Sequence, residues 1–369
     1  MAKRLNVNPN VLQYYVNNAE IPFEILQVKC PHIDAFLNGE KQPTFKQLSD
    51  VAKKINVPTG LLLLQTTIEV GDKKLEFRTI GSIEIGGMSE NLRDTITDME
   101  KKQDFLRGIV EGELSFIGST SIHDDVENTA KKLRKLMEIP IEWQELSGNE
   151  AFKFFRSKVN DLGIYVFLDG IVRQNTRRPL DAKEFRGFTL VDKKAPLIFI
   201  NSTDSATGRL FTLIHELVHL FLGSSGIVNK IYLDDYSFSP LEAFANKVTA
   251  EILVPKIELL SCSEKSIAEL SRKFKVSEYV ITRRLLDCGK ISIAEYQEYT
   301  ADLDETFEEV KASTKSSGGN FYNNTRFKID TSFFHAVKNA IYSDKITYTQ
   351  AFDILGVKQG VYKRLEAEM

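Results

Sequence analysis

His215 and His219 stand four residues apart in the segment 211–221, FTLIHELVHLF, with Glu216 beside the first of them. On a helix, side chains four apart lie one above the other on the same face, so two imidazoles at that spacing can hold one metal ion. Catalytic zinc takes three protein ligands and keeps a fourth place for water. A carboxylate next to that place can take the water's proton once the metal has made it acidic, and Glu216 has that position. Histidine is scarce, five in 369 residues, so the pair does not reflect a His-rich composition. The flanking residues are apolar almost all the way round: Leu210, Phe211, Leu213, Ile214, Leu217, Val218, Leu220, Phe221 and Leu222. One polar stripe remains, Thr212, His215, Glu216 and His219, at i, i+3, i+4 and i+7. A helix of this kind is buried, and its ionisable groups need partners inside the protein. A bound metal satisfies them better than the plainer reading of two surface histidines.

A third ligand has to come from another element. Glu242 opens a second helical pattern over 241–254, with Leu241, Phe244, Ala245, Val248 and Ile252 on its apolar face and Glu242, Asn246 and Thr249 on a polar stripe. The same glutamate also completes a helix-start signal. Ser239-Pro240-Leu241-Glu242 reads as a capping box with proline at the first helical position. Residue types alone therefore leave Asp234, Asp235 and Glu251 as alternatives to Glu242.

The elements that position these groups can be read coarsely. Helix is expected from about 206 to 222, stopping at Gly223, and again from about 240 to just before Pro255. Short strands are expected at 163–167, 188–191 and 196–200, the last followed by the loop 201–204. An exposed edge at 196–200 would suit an extended peptide. Residues 94–113 and 125–138 read as helices. Earlier, apolar periodicity marks a helix around 11–16, a second after Pro22, and a third opened by a Thr44/Gln47 capping box with Leu48, Val51, Ala52 and Ile55 on its apolar face. Two or three short helices are expected over 263–300, a Ser/Gly/Asn-rich linker over 311–324, and a small helical unit over 330–369.

The two metal-bearing patterns together resemble the ImmA/IrrE-type family of bacterial metallopeptidases. The first is similar to that family's R-x-F-T-L-x-H-E-x-x-H block, with Arg209, Phe211, Thr212 and Leu213 in place. The second is similar to its E-x-x-A-N-x-x-x-A-x-x-L-x-P block, here Glu242, Ala245, Asn246, Ala250, Leu253 and Pro255. Val218 and Thr249 depart from residues the family often carries, Gly and Ala. The resemblance implies Glu242 as third zinc ligand and Glu216 as catalytic base. It implies an α+β fold: a zincin-like core with a small sheet over 76–260, a repressor-like helix-turn-helix module over 1–75, and a helical C-terminal region over 261–369.

The expected activity is that of a Zn2+-dependent endopeptidase cleaving a repressor-like or antitoxin-like protein. The alternative is a transcriptional regulator, or the antitoxin of a toxin–antitoxin pair, with a non-catalytic zinc site. Residues 1–75 carry nine Lys and Arg against seven Asp and Glu, little for a duplex-binding face. DNA binding is therefore expected to be weak, and a protein partner, possible toxin included, fits the module better. The candidate groove-entering helix, about 31–38, offers His32, Asp34 and Asn38. The whole chain has a net charge of -3 and 27% charged residues, which gives no strong field towards nucleic acid or anionic membrane. Three widely spaced cysteines, Cys30, Cys262 and Cys288, suggest no disulfide framework. The start MAKRLNVNPN lacks the apolar core of a signal peptide, and no apolar run is long enough for a bilayer. A cytoplasmic protein with no membrane partner is expected.

Overall fold

The computed structural model describes residues 4–17, 23–55, 59–63, 88–140, 142–224, 227–228, 239–263, 266–313 and 328–368. The chain divides into two compact units: Met1–Arg78 with Glu84–Gly86, and Thr79–Ile83 with Gly87–Met369.

Among its described residues the first unit has four α-helices, α1 (Pro9–Asn17), α2 (Phe23–Lys29), α3 (Ile33–Leu37) and α4 (Phe45–Lys54), and a short 3-10 turn at Leu61–Leu63. Their apolar faces meet in one small core that includes Leu12, Val16, Leu26, Ile33, Phe36, Leu48 and Val51. The Thr44 side chain accepts from the Gln47 N–H while the Gln47 side chain accepts from the Thr44 N–H, the reciprocal cap expected from the sequence. Asp34, on the short α3, is engaged within the unit: the Gln27 amide donates to both its oxygens at 3.0 and 3.1 Å.

The second unit is helix-rich with a small sheet. It opens with α5 (Glu90–Ile109), α6 (Val126–Leu136), α7 (Trp143–Leu146) and α8 (Ala151–Asp161). The start of α5 falls earlier than the apolar periodicity suggests, because Ser89 accepts from the Leu92 N–H and caps it there. Strands β1 (Tyr165–Asp169), β2 (Ile171–Val172), β3 (Asn175–Pro179), β4 (Gly187–Leu190) and β5 (Leu197–Asn201) follow. Then come α9 (Ala206–Leu222), β6 (Ile227–Val228) and α10 (Pro240–Leu253). The rest is helical: α11 (Lys256–Ser261), α12 (Ile267–Phe274), α13 (Glu278–Asp287), α14 (Ile293–Ser313), α15 (Thr331–Tyr342), α16 (Tyr348–Leu355) and α17 (Gln359–Glu368). Beyond Ser313 the linker expected over 311–324 lies outside the described residues.

The main sheet has the order β1-β5-β4-β6. β5 pairs with β1 in parallel and with β4 in antiparallel, and β4 pairs with β6 through Gly187 and Phe188 alone. The sequence suggested an edge at 196–200; the structure places that strand at the sheet's centre, buried along its whole length. The apolar run Leu197, Ile198, Phe199 and Ile200 is what a two-sided central strand requires. Val166, Leu168, Ile198 and Ile200 point from one face into the core that α8, α9 and α10 complete, and Leu270, Phe274, Val280 and Ile281 of α12 and α13 join that same core. Phe167 and Phe199 alternate to the other face, where Phe333 of α15 meets Phe167.

Candidate metal centre

Helix α9 is fixed at both ends. The Ser205 side chain accepts from the Gly208 N–H, and Gly223 closes the helix with φ +67°, a left-handed conformation that glycine adopts without a Cβ clash. The last-turn carbonyls are taken up by a neighbouring loop: Gly118 N–H donates to Leu220 O at 3.0 Å and Thr120 N–H to Phe221 O at 2.9 Å. The helix is thereby held rigidly under β4 and β5. Gly187 of β4 allows the close approach, since a Cβ there would come within 2.6 Å of the Thr212 methyl and 2.9 Å of Phe199 O. The result is a buried stripe in which His215, Glu216 and His219 are all at most 1% exposed.

Helix α10 begins with Ser239 accepting from the Glu242 N–H and with Pro240 in its first turn. The glutamate's carboxylate is not occupied with the cap. It turns to the two imidazoles, with Glu242 Oε2 3.1 Å from His215 Nε2 and Oε1 3.3 Å from His219 Nε2. The two Nε2 atoms are 2.9 Å apart. These ligand atoms of His215, His219 and Glu242 all lie within 4.8 Å of one another. In a tetrahedral zinc site with bonds of about 2.05 Å, ligand atoms sit about 3.3 Å apart, so the observed spacings suit one small divalent ion. Asp234 and Asp235 lie outside the described residues. Glu251 is committed elsewhere, paired with Arg284 and accepting from the Lys256 N–H.

Two further side chains support the site, neither singled out from sequence. The Thr189 hydroxyl of β4 donates to Glu216 Oε2 at 2.6 Å, while Glu216 Oε1 is buried with no hydrogen-bond partner among the described residues. Ser224 Oγ is 3.0 Å from His219 Nδ1. With Nε2 turned to the metal position, Nδ1–H is the donor in that pair. Thr189 left one trace in the sequence, a polar residue between Phe188 and Leu190 in a strand otherwise apolar. Ser224 left none, since it is brought back to His219 only by the turn at Gly223.

Burial drives the electrostatics. It lifts the Glu216 carboxyl from 4.5 to about 8, against the pull of the His219 charge and the Thr189 bond. His215 is pushed down from its ordinary value by the same loss of solvent. His219 is also disfavoured as a cation by burial, but its bond to Glu242 and the charges of Glu216 and Glu242 lift it overall. Glu242 is opposed by burial too, yet its bonds to the two imidazoles hold it far below the usual carboxylate range. Groups pushed apart in this way within one buried cluster are characteristic of functional sites.

Residues 160–286 match the Peptidase_M78 family, described as an IrrE N-terminal-like domain. Over those residues the chain is similar to this peptidase family. The domain runs from the end of α8 to the end of α13 and so contains the sheet, α9 and α10. It therefore holds every member of the His215, Glu216, His219, Glu242 cluster, which points to a peptidase acting on protein. The chain matches no curated protein and no solved structure. Among the described residues no helix is long and apolar enough to cross a membrane.

Proposed function

We propose that the chain is a zinc-dependent endopeptidase, with His215, His219 and Glu242 as metal ligands and Glu216 as general base. The observation that carries this reading is the convergence of three donor side chains, within 4.8 Å of one another, beside a buried carboxyl whose second oxygen has no partner among the described residues. Zinc at that position supplies Lewis-acid chemistry, acidifying water and polarising a peptide carbonyl. Glu216 Oε1 takes the water's proton and passes it to the leaving amine. Thr189 fixes the other oxygen of the same carboxylate, and Ser224 sets the ring orientation of His219.

The substrate proposed is a repressor-like or antitoxin-like protein, on the strength of the family likeness. The helices of the first unit would recognise it, since nine basic against seven acidic residues over 1–75 give little support for duplex DNA. The competing reading is a regulator or antitoxin with a structural zinc site. The Thr189–Glu216 hydrogen bond favours the peptidase, because a structural site has no use for an oriented non-ligand carboxylate. A proteome comparison between cells with the wild-type chain and cells with Glu216→Gln decides between them. The peptidase predicts at least one protein that accumulates only in the variant; identical profiles would leave the regulator.

A further inference from the structure

A cavity of about 660 Å³ lies against the sheet face turned away from α9, between α5, the β2–β3 hairpin and the C-terminal helices. That volume falls within the range of small-molecule sites. Its wall is aromatic on one side: Phe167 and Phe333 are 5% and 1% exposed and meet edge to face, centroids 5.0 Å apart at 71°. Its charged lining comprises Lys101, Lys102, Arg173 and Lys328 against Asp98, Asp169 and Asp353, four cations to three carboxylates.

The distribution of those charges matters more than their sum. Lys328 and Asp169 pair at 2.7 Å, and Asp169 also acts at longer range on the Lys102 ammonium. Asp98, by contrast, is shared. It pairs with the Lys102 ammonium and also lies 3.4 Å from Arg173 Nε. One carboxylate thus faces two cations. Lys102 is only 12% exposed and sits over the Phe167 ring at 5.9 Å, a partial substitute for an anion.

The hairpin that presents Arg173 carries the second, independent observation. Val172 pairs with Asn175, so Arg173 and Gln174 form a two-residue connection. Both have positive φ, 45° and 61°. Turns of this kind strongly favour Asn-Gly. Two long side chains in left-handed conformations are strained, and such strain persists where the residues serve a site. Both residues line the cavity, and Gln174 donates from Nε2 to Gly356 O at 2.6 Å, tying the turn to the end of α16.

We propose that this cavity binds a small organic anion, a carboxylate or phosphate on a flat apolar body, with the anionic group between Arg173 and Lys102 and the body against Phe167 and Phe333. The site is separate from the metal centre and does not depend on the peptidase reading.

The test is calorimetric titration of the full chain with indole-3-carboxylate, benzoate and phenyl phosphate, set against indole-3-carboxamide and inorganic phosphate. At least one aromatic anion should bind saturably at one per chain, at least 10-fold more tightly than the amide or inorganic phosphate. Comparing the carboxylates with phenyl phosphate identifies which anionic group is preferred. Arg173→Gly should weaken that binding at least 10-fold while leaving the thermal transition equal or higher, because glycine relieves the positive φ. This combination separates loss of the site from loss of the fold. Lys102→Met should weaken the anion more than the amide. Absence of saturable binding by every aromatic anion, equal binding of the amide, or unchanged affinity in Arg173→Gly would overturn the proposal.

Discussion

A carboxyl with no solvent around it stays neutral unless a nearby positive charge stabilises its ionised form. Glu216 is in that position, lifted to about 8 by burial, and a divalent ion among His215, His219 and Glu242 would restore its negative charge. Metal content should therefore be one zinc per chain, and His215→Ala with His219→Ala should abolish it; stoichiometric zinc in the double variant would refute the site. Glu242→Gln should weaken zinc strongly, and unchanged affinity would move the third ligand to Asp234 or Asp235. Glu216→Gln should keep the metal and the fold and lose hydrolysis by about 10²–10⁴-fold, the usual contribution of a general base. Thr189→Val should retain zinc and lower kcat by about 10–100-fold, as loss of a supporting hydrogen bond around a metal site does; a normal kcat would show that Glu216 needs no such support. The metal-free protein offers a pH test. The folded-state pKa of Glu216 is raised above its unfolded value, so between about 4.5 and about 8 the folded chain holds a proton that the unfolded chain has released. This contribution makes stability fall as pH rises through that window. His219, also raised, adds a loss of the same sign, so the comparison between proteins is the test. In chelator, Glu216→Gln should lose less stability than wild type between pH 5.5 and pH 8 by urea unfolding, and equal losses would contradict the assignment.

The elements that bear the site were legible where their signals are local. The bounds of α9 follow from apolar periodicity and Gly223, with the Ser205 cap added by the structure, and α10 follows from Ser239-Pro240. Three strands of the main sheet, β1, β4 and β5, were legible, while β6, the β2–β3 pair and the strand order were not. An apolar run such as 197–200 says that both faces are covered and nothing about which strands lie beside it, so its central place had to come from the structure. Thr189 was hidden for a related reason: its use depends on β4 lying across α9, a long-range fact. The rigidity of α9 rests on one local requirement that can be measured. Gly223 has φ +67°, and a Cβ added there would come within 3.0 Å of Gly118 Cα. Gly112 also has positive φ, +82°, with nothing within 4 Å of such a Cβ. Gly112→Ala should therefore cost about 1–2 kcal/mol, the left-handed penalty alone, and Gly223→Ala should cost more by chemical unfolding. Equal costs would show that the loop at 118–120 yields freely and does not brace the helix.

Across the second unit, one carboxylate links the C-terminal helices to the sheet that carries α9 on its other face. Asp330 is fully buried at the start of α15. It accepts from the Phe333 N–H at 2.8 Å as a helix cap, from the Val166 N–H of β1 at 2.9 Å, and from Asn160 Nδ2 of α8 at 2.8 Å. Arg156, whose Nη2 donates to Val166 O at 2.6 Å, supplies a stabilising charge. Burial pushes the Asp330 carboxyl up, and Arg156 together with the three donors works against that rise. Removing the carboxylate leaves two buried N–H groups and the Asn160 amide without this acceptor, and takes away one negative charge that acts on Arg156. Asp330→Ala should cost about 3–5 kcal/mol, and Asp330→Asn, which keeps one acceptor oxygen, should cost less. The loss should be local at first. Hydrogen exchange in Asp330→Ala should rise over 331–368 before it rises in α9, and zinc stoichiometry should be unchanged, because the metal-bearing helix packs on the opposite sheet face. Exchange that rises together over α9 and 331–368, or zinc lost along with the C-terminal protection, would mean that the two faces unfold as one unit and that Asp330 braces the metal centre itself.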